Sequence, residues 1–306
     1  MGGALRSSND ADRQLYYTSL LKLSEEDIRG RVSAGPEEAA RIAYAAAVGG
    51  NLTAQLVYAQ MLLDGYGVER DQHAALRWFG IAATANDPDA TNMLGRCYEL
   101  GWGTTADSEK AIAHYRKAAA QDHHWAQFNL ATLMLRNDPS PGEVKTALTL
   151  LVRSARQGNA KAMNMIGRYR EFGWASRIDL SSAQRWYRRA AEGDCFRGAA
   201  HLARLLCSQT KTKEAADWYR RSVSNAPVEF LRDLASHLFN QEGALFHAIG
   251  REALRRAAES DAPQDLFAYG HALVHGRGGP IDRNEAAIWL QRADAKGFPG
   301  AMALLR

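Results

Sequence analysis

The 306-residue sequence predicts an all-α protein, a solenoid of about seven antiparallel helical hairpins. Three observations predict it. One set of positions returns about every 36 residues along most of the chain. Within each set, small and large apolar residues are spaced three and four apart, which marks one stripe of a helix. Alanine is abundant, prolines number only 8, and few segments alternate apolar and polar residues, so helix is favoured over strand throughout.

The elements follow in order. Within residues 1–35, "DADRQLYYTSLLKLSEEDIRGRV" places Leu15, Tyr16, Leu20, Leu23 and Ile28 at helical spacing, and Ser24 with Asp27 is a start resembling a capping box. An N-terminal tail and a capping helix are expected there. Gly35–Pro36 opens the repeat region, 36–306, and "EEAARIAYAAAVGG" reads as the second helix of an incomplete leading unit. Seven units follow near 51–86, 87–122, 123–158, 159–194, 195–226, 227–261 and 262–297, and "FPGAMALLR" begins a partial cap helix at 298–306.

In the second helix of each unit, Trp78 recurs as His114, Leu150, Trp186, Trp218, Ala253 and Trp289, in steps of 36, 36, 36, 32, 35 and 36. Small residues accompany it three before, as at Ala75 and Ala183, and four after, as at Ala82 and Ala190. In the first helix a column of Ala59, Gly95, Ala131, Gly167, Ala203, Ala235 and Gly270 holds only glycine and alanine, as close helix contact requires. Interior glycine otherwise costs about 1 kcal/mol against alanine. A hairpin of this kind cannot bury its apolar stripe alone, and stacked neighbours do so.

Between the two helices lie "DGYG" (64–67), "LGWG" (100–103), "FGWA" (172–175) and "HGRG" (275–278). Paired glycines before polar residues suggest either a phosphate loop or a hinge. A phosphate loop follows a strand and does not recur along a chain, whereas glycine stops a helix by taking the left-handed conformation. The hinge reading holds.

With these columns in place the chain resembles the Sel1-like repeat family, relatives of tetratricopeptide repeats with a longer loop inside the hairpin. "ATNMLGRCYELGWGTTADSEKAIAHYRKAAAQD" (90–122) and "AQLVYAQMLLDGYGVERDQHAALRWFGIAATAND" (54–87) carry most of the family pattern, and "DLFAYGHALVHGRGGPIDRNEAAIWLQRADAKG" (265–297) nearly as much. The third unit replaces the glycine pair by "NDPSPG", the fifth is four residues short near "CSQTKTKEAADW", and the sixth keeps the stripe but loses the motif. The resemblance implies a right-handed α-solenoid, with local changes of pitch at those departures. It implies an adaptor or scaffold that binds protein and does no chemistry.

If the tetratricopeptide register carries over, first helices line a concave groove. Arg96, Arg168 and Arg204 then form a ladder suited to acidic side chains or a terminal carboxylate, since a guanidinium fork matches a carboxylate. Asn92 and Asn164 are placed to meet peptide backbone, and Phe128 and Phe172 to anchor apolar side chains. The partner expected is a protein or peptide segment, acidic in character. A solvated basic groove is the alternative use of the same residues.

Net charge is 38 − 34 = +4, too mild by itself to announce nucleic acid. The doublets Arg188–Arg189, Arg220–Arg221 and Arg255–Arg256 on second helices make a nucleic-acid-binding repeat protein the second reading, diluted by nearby acidic residues. A metal site or an enzyme is more remote. His271 and His275 share a helix face at i and i+4, but no third ligand or metalloprotease glutamate accompanies them. His123–His124 reads as a surface turn, and Cys97 as a small core side chain. No cofactor motif is present, so no catalytic residue, metal or cofactor is assigned. Three unevenly spaced cysteines, no signal-peptide core, arginine where a myristoylation site needs serine or threonine, and no run of 18 apolar residues lead to an expected reducing cytoplasm with no membrane insertion.

Overall fold

In a computed structural model, residues 35–136, 138–174 and 177–305 are described. The expected N-terminal capping helix falls outside them. The described residues form 15 α-helices and no strand. They are α1 (Pro36–Val48), α2 (Leu52–Asp64), α3 (Gln72–Ala83), α4 (Pro88–Leu100), α5 (Ser108–Ala120), α6 (His124–Met134), α7 (Pro141–Arg156) and α8 (Ala160–Phe172). They continue as α9 (Leu180–Glu192), α10 (Phe196–Ser208), α11 (Thr212–Asn225), α12 (Val228–Phe239), α13 (Ala244–Ala258), α14 (Pro263–Val274) and α15 (Arg283–Ala295). A 3-10 turn, Ala301–Leu305, follows where the sequence suggested the start of another helix. The chain divides into two compact units at Ser154, close to the C-terminal end of α7.

Most turns between hairpins are built on one left-handed residue, the exception being the turn before α12, where Ala226 is extended. Gly50, Asn86, Asp122, Gly158, Asp194, Asp261 and Gly297 all have φ between 60° and 92°. Only glycine, asparagine and aspartate fill this column, the residues that tolerate that conformation. In several of these turns the next residue caps the first helix through its side chain: Asn51, Asp87 and Asn159 accept from the amides of Ala54, Ala90 and Ala162 at 2.9, 2.8 and 3.1 Å. His123 does the same through Nδ1, accepting from Ala126 N at 3.1 Å, while Nε2–H donates to Asp89 at 2.8 Å. The surface-turn reading of His123 is thus corrected. Its ring is 9% exposed because an N-cap needs an acceptor and imidazole supplies one.

Second helices start on Asp71, Asp107, Asp179 and Asp282, each accepting from the amide three residues on. The irregular third unit substitutes a capping box, in which Ser140 and Glu143 satisfy each other's amides. Helices α11 and α13 begin without any side-chain cap.

The two glycines of the hinge have different tasks. Gly101, at φ 71°, ends α4. A Cβ on Gly103 would overlap the carbonyl of Gln72, at the start of the preceding hairpin's second helix. Gly67 against Pro36 and Gly278 against His247 repeat that contact. The second glycine is therefore a docking point between consecutive hairpins.

The core of each unit uses the small columns as expected: Ala75, Ala111, Ala147, Ala183, Ala215 and Ala286 have no accessible surface. On six second helices, α13 being the exception, the deepest large residue is one beyond the tryptophan column. Phe79, Tyr115 and Leu151 fill the first unit, and Tyr187, Tyr219 and Leu290 the second. Burying such a ring stabilises by roughly 2–3 kcal/mol. The glycines of the first-helix column make room for it: a Cβ on Gly95 would sit 2.8 Å from the Tyr115 ring, and one on Gly167 2.5 Å from that of Tyr187. Cys97 is buried, and burial pushes its thiol up to about 11. In the second unit Phe298 stacks on Phe267 with centroids 4.4 Å apart, and Ala301 is fully buried in the cluster they pack against.

Candidate protein-interaction surface

In the first unit, α4 and α6 carry Asn92, Arg96 and Phe128. Asn92 is buried, and its Oδ1 accepts from Asn129 Nδ2 of the next hairpin at 2.9 Å. The Arg96 guanidinium lies over the Trp102 ring, 4.8 Å from its centroid. Phe128 is half-buried beside Trp125, edge to face at 6.2 Å. At the end of α4, Glu99 accepts from the Tyr115 hydroxyl at 2.6 Å and from Arg136 at 2.5 Å.

The second unit repeats this arrangement. Asn164 is buried, and its Oδ1 accepts from His201 Nδ1–H at 2.9 Å. Burial, then the nearby Arg204 and Arg168 cations, push His201 down to about 4. Arg168 lies over Trp174 at 5.1 Å, and Trp174 stacks on Phe172 at 5.1 Å with 22° between the planes. Phe172 and Trp174 are 50% and 51% exposed. Arg204 pairs with the buried carboxylate of Glu171, which also accepts from the Tyr187 hydroxyl at 2.7 Å. Burial and then that carboxylate raise the Tyr187 phenol.

The five polar residues among the seven predicted therefore fall into three kinds, while the Phe128 ring is half-buried and the Phe172 ring exposed. Asn92 and Asn164 spend their amides tying one hairpin to the next. Arg204 is neutralised by Glu171 and keeps an exposed edge. Arg96 and Arg168 rest on indole rings, and among the described residues neither meets a carboxylate within ion-pair distance. A guanidinium stacked by its face leaves its in-plane N–H groups free to hold a carboxylate.

Sequence reasoning missed Trp102 and Trp174, which it read only as hinge residues, and the Glu99 and Glu171 carboxylates. One signal was available: Glu99 precedes Tyr115 by 16 residues, and Glu171 precedes Tyr187 by the same 16.

The Sel1 repeat profile matches residues 52–87, 88–123, 160–195 and 263–297. A solved Sel1 repeat protein from Oxalobacter formigenes superposes with a TM-score of 0.52 at 22% identity, covering 80% of this chain and 88% of that one. This is a Sel1-repeat protein. The matched Sel1 repeats are the four whose second helices begin on an aspartate cap, and the unmatched hairpins are those whose departures were visible in sequence.

Two curated relatives carry the similarity further along the chain. Chitin synthase regulatory factor 3 of Schizosaccharomyces pombe is 30% identical over 77% of this chain and 27% of its own length. Chitin synthase regulator SKT5 of Saccharomyces cerevisiae is 26% identical over 75% of this chain and 36% of its own. The Sel1-repeat chain thus spans about a third or less of the length of either relative.

Most arginines of the second-helix doublets are taken up locally. Arg188 pairs with Glu214 at 2.7 Å, Arg221 with Asp194 at 3.0 Å, Arg220 with Asp217 at 2.7 Å and Arg255 with Glu252 at 2.8 Å. Arg189 and Arg292 lie over the rings of Trp186 and Trp289. No described helix is long and apolar enough to cross a membrane.

Proposed function

We propose that the chain is a non-catalytic adaptor that holds an acidic protein segment against the first-helix faces of its Sel1 repeats. The observation that carries this reading is the exposed cluster of Arg168, Phe172 and Trp174, with Arg96 on Trp102 at the same place two repeats earlier. Each cluster offers a cation with no carboxylate partner among the described residues beside apolar ring surface, the chemistry that anchors protein interfaces. Phe128 adds a half-buried ring, and Arg204 an exposed edge at the rim. Relatives named as chitin synthase regulators are consistent with action by binding. The role of the Asn92 and Asn164 amides in this reading is to hold consecutive first helices in register.

The test is affinity capture from native lysate with wild type and two folded variants, Arg96→Glu/Arg168→Glu and Phe172→Ala/Trp174→Ala. The expected result is a protein partner retained by wild type and lost by both variants. Retention of the same proteins by both would sink the first-helix reading. Recovery that disappears on nuclease treatment would favour nucleic acid instead.

A further inference from the structure

The hinge of the last hairpin departs from the others. Where the earlier hinges present Tyr66, Trp102 and Trp174, this one presents Arg277. The polarity of the stacking pair is reversed with it: the arginine stands at the hinge and lies on a ring of the preceding hairpin, Phe239, at 4.0 Å from the centroid. A cleft of about 330 Å³ opens beside this pair, between α12 and α14. Phe239 and Phe267 give it apolar walls, and Arg232, Ser236, His271 and Arg277 give it polar ones.

The cations there differ in availability. Arg232 is held by the buried carboxylate of Asp265, through Nε at 2.7 Å and Nη2 at 2.6 Å. Ser260 donates to the same carboxylate at 3.0 Å, so Asp265 is satisfied and its charge balanced. Arg277 is exposed, lies over Phe239 and lines the cleft, and a guanidinium covered on its face keeps its in-plane edge for a carboxylate. The loop that carries it is fixed. Its amide donates to Ala272 O at 2.9 Å, its carbonyl accepts from Arg251 Nε at 2.9 Å, and Arg251 Nη2 also donates to Pro280 O at 2.9 Å. Gly278 is seated against the His247 carbonyl. His271, at the wall, lies 4.3 Å from His275, ring to ring.

We infer that this cleft binds the C-terminal end of a partner polypeptide, with the terminal carboxylate on Arg277 and the last apolar side chain between Phe239 and Phe267. The volume is that of one or two residues, at the lower end of ligand pockets. A chain end is the smallest group that delivers a carboxylate and an apolar side chain together. An internal acidic residue would have to bring backbone through on both sides. The inference rests on the reading of the first-helix face as the binding face, and extends it to residues outside the Arg96–Arg168 clusters.

The experiment is a titration of the full ¹⁵N-labelled chain with N-acetyl-leucyl-leucine, its C-terminal amide, and N-acetyl-leucyl-aspartyl amide, followed by amide shifts. The acid is expected to bind with a dissociation constant of about 0.1–1 mM, shifting residues around Phe239, Phe267 and Arg277. The amide is expected to bind at least about tenfold more weakly, and Arg277→Gln to abolish the difference. Arg277 is exposed, so this variant keeps the fold. Equal binding of acid and amide, no saturable shift up to about 10 mM, or discrimination retained in Arg277→Gln would each overturn the assignment. Binding of the aspartyl amide as tight as the acid would overturn the chain-end part. Partner capture lost in Arg96→Glu/Arg168→Glu while acid and amide bind alike would remove this cleft and leave the adaptor reading standing. Selective acid binding with capture unchanged in that variant would do the reverse.

Discussion

Gly167 has no room for a methyl group, and this one position ties column, core and network together. A Cβ there meets the Tyr187 ring, whose hydroxyl holds Glu171, which in turn holds Arg204. Gly167→Ala is expected to lower stability by about 1–3 kcal/mol through overpacking, measured by denaturant midpoint. Gly167→Ala/Tyr187→Leu imitates the Ala131 and Leu151 combination of the third hairpin and should recover part of the loss. Additive losses would show that the two positions do not share one space. His201 makes stability depend on pH. Its folded value of about 4 lies below the ordinary 6.5, so the unfolded chain binds the proton more readily. The contribution is fully present above pH 6.5 and is lost as pH falls from there to 4, by roughly 2–3 kcal/mol in all. Denaturation at pH 7, 5.5 and 4 should follow that slope in wild type and show a flatter one in His201→Gln. Equal slopes would remove His201 from the account.

At the scale of elements, regular and irregular hairpins differ in how their helices start. Asp179→Ala removes the cap of α9 and is expected to cost about 1 kcal/mol, read from the thermal midpoint. Helices α11 and α13 have no side-chain cap to lose, so their first turns should exchange amide hydrogen faster than those of α9 and α15. Equal protection in all four would mean that packing alone holds the ends. Gly103→Ala acts differently. It strains a left-handed residue and drives a methyl into the Gln72 carbonyl, so loss of well over 1 kcal/mol is expected. The hinge glycines were legible as hinges because a helix stop is a local event. Their second use was hidden, because the Gln72 carbonyl lies 31 residues earlier in the chain and belongs to another hairpin.

At the scale of the whole molecule, the charge of +4 is spread over arginines that mostly have partners within the protein. A double-stranded DNA oligonucleotide is therefore expected to show no affinity that falls about a thousandfold between 50 and 200 mM salt. A loss that steep would put the second-helix arginines back at the centre. The 36-residue period, the hairpin, the small columns and the hinge were all readable from sequence, since each is a matter of spacing along one or two helices. The tryptophan column was readable as core but misplaced the deepest ring by one residue, because a helix stripe is wide enough to admit either neighbour. The interaction residues were readable as positions and not as states. Arg96, Arg168 and Arg204 share one column of the sequence, yet the second and fourth hairpins set the first two on indoles and the fifth gives Arg204 to Glu171, while the hinge of the last turns Arg277 onto Phe239. By itself the sequence determined the repeat and its helices, which depend on local periodicity. Only the tertiary structure decided which guanidinium edges remain free, because that depends on which side chains of neighbouring hairpins come within a few ångströms.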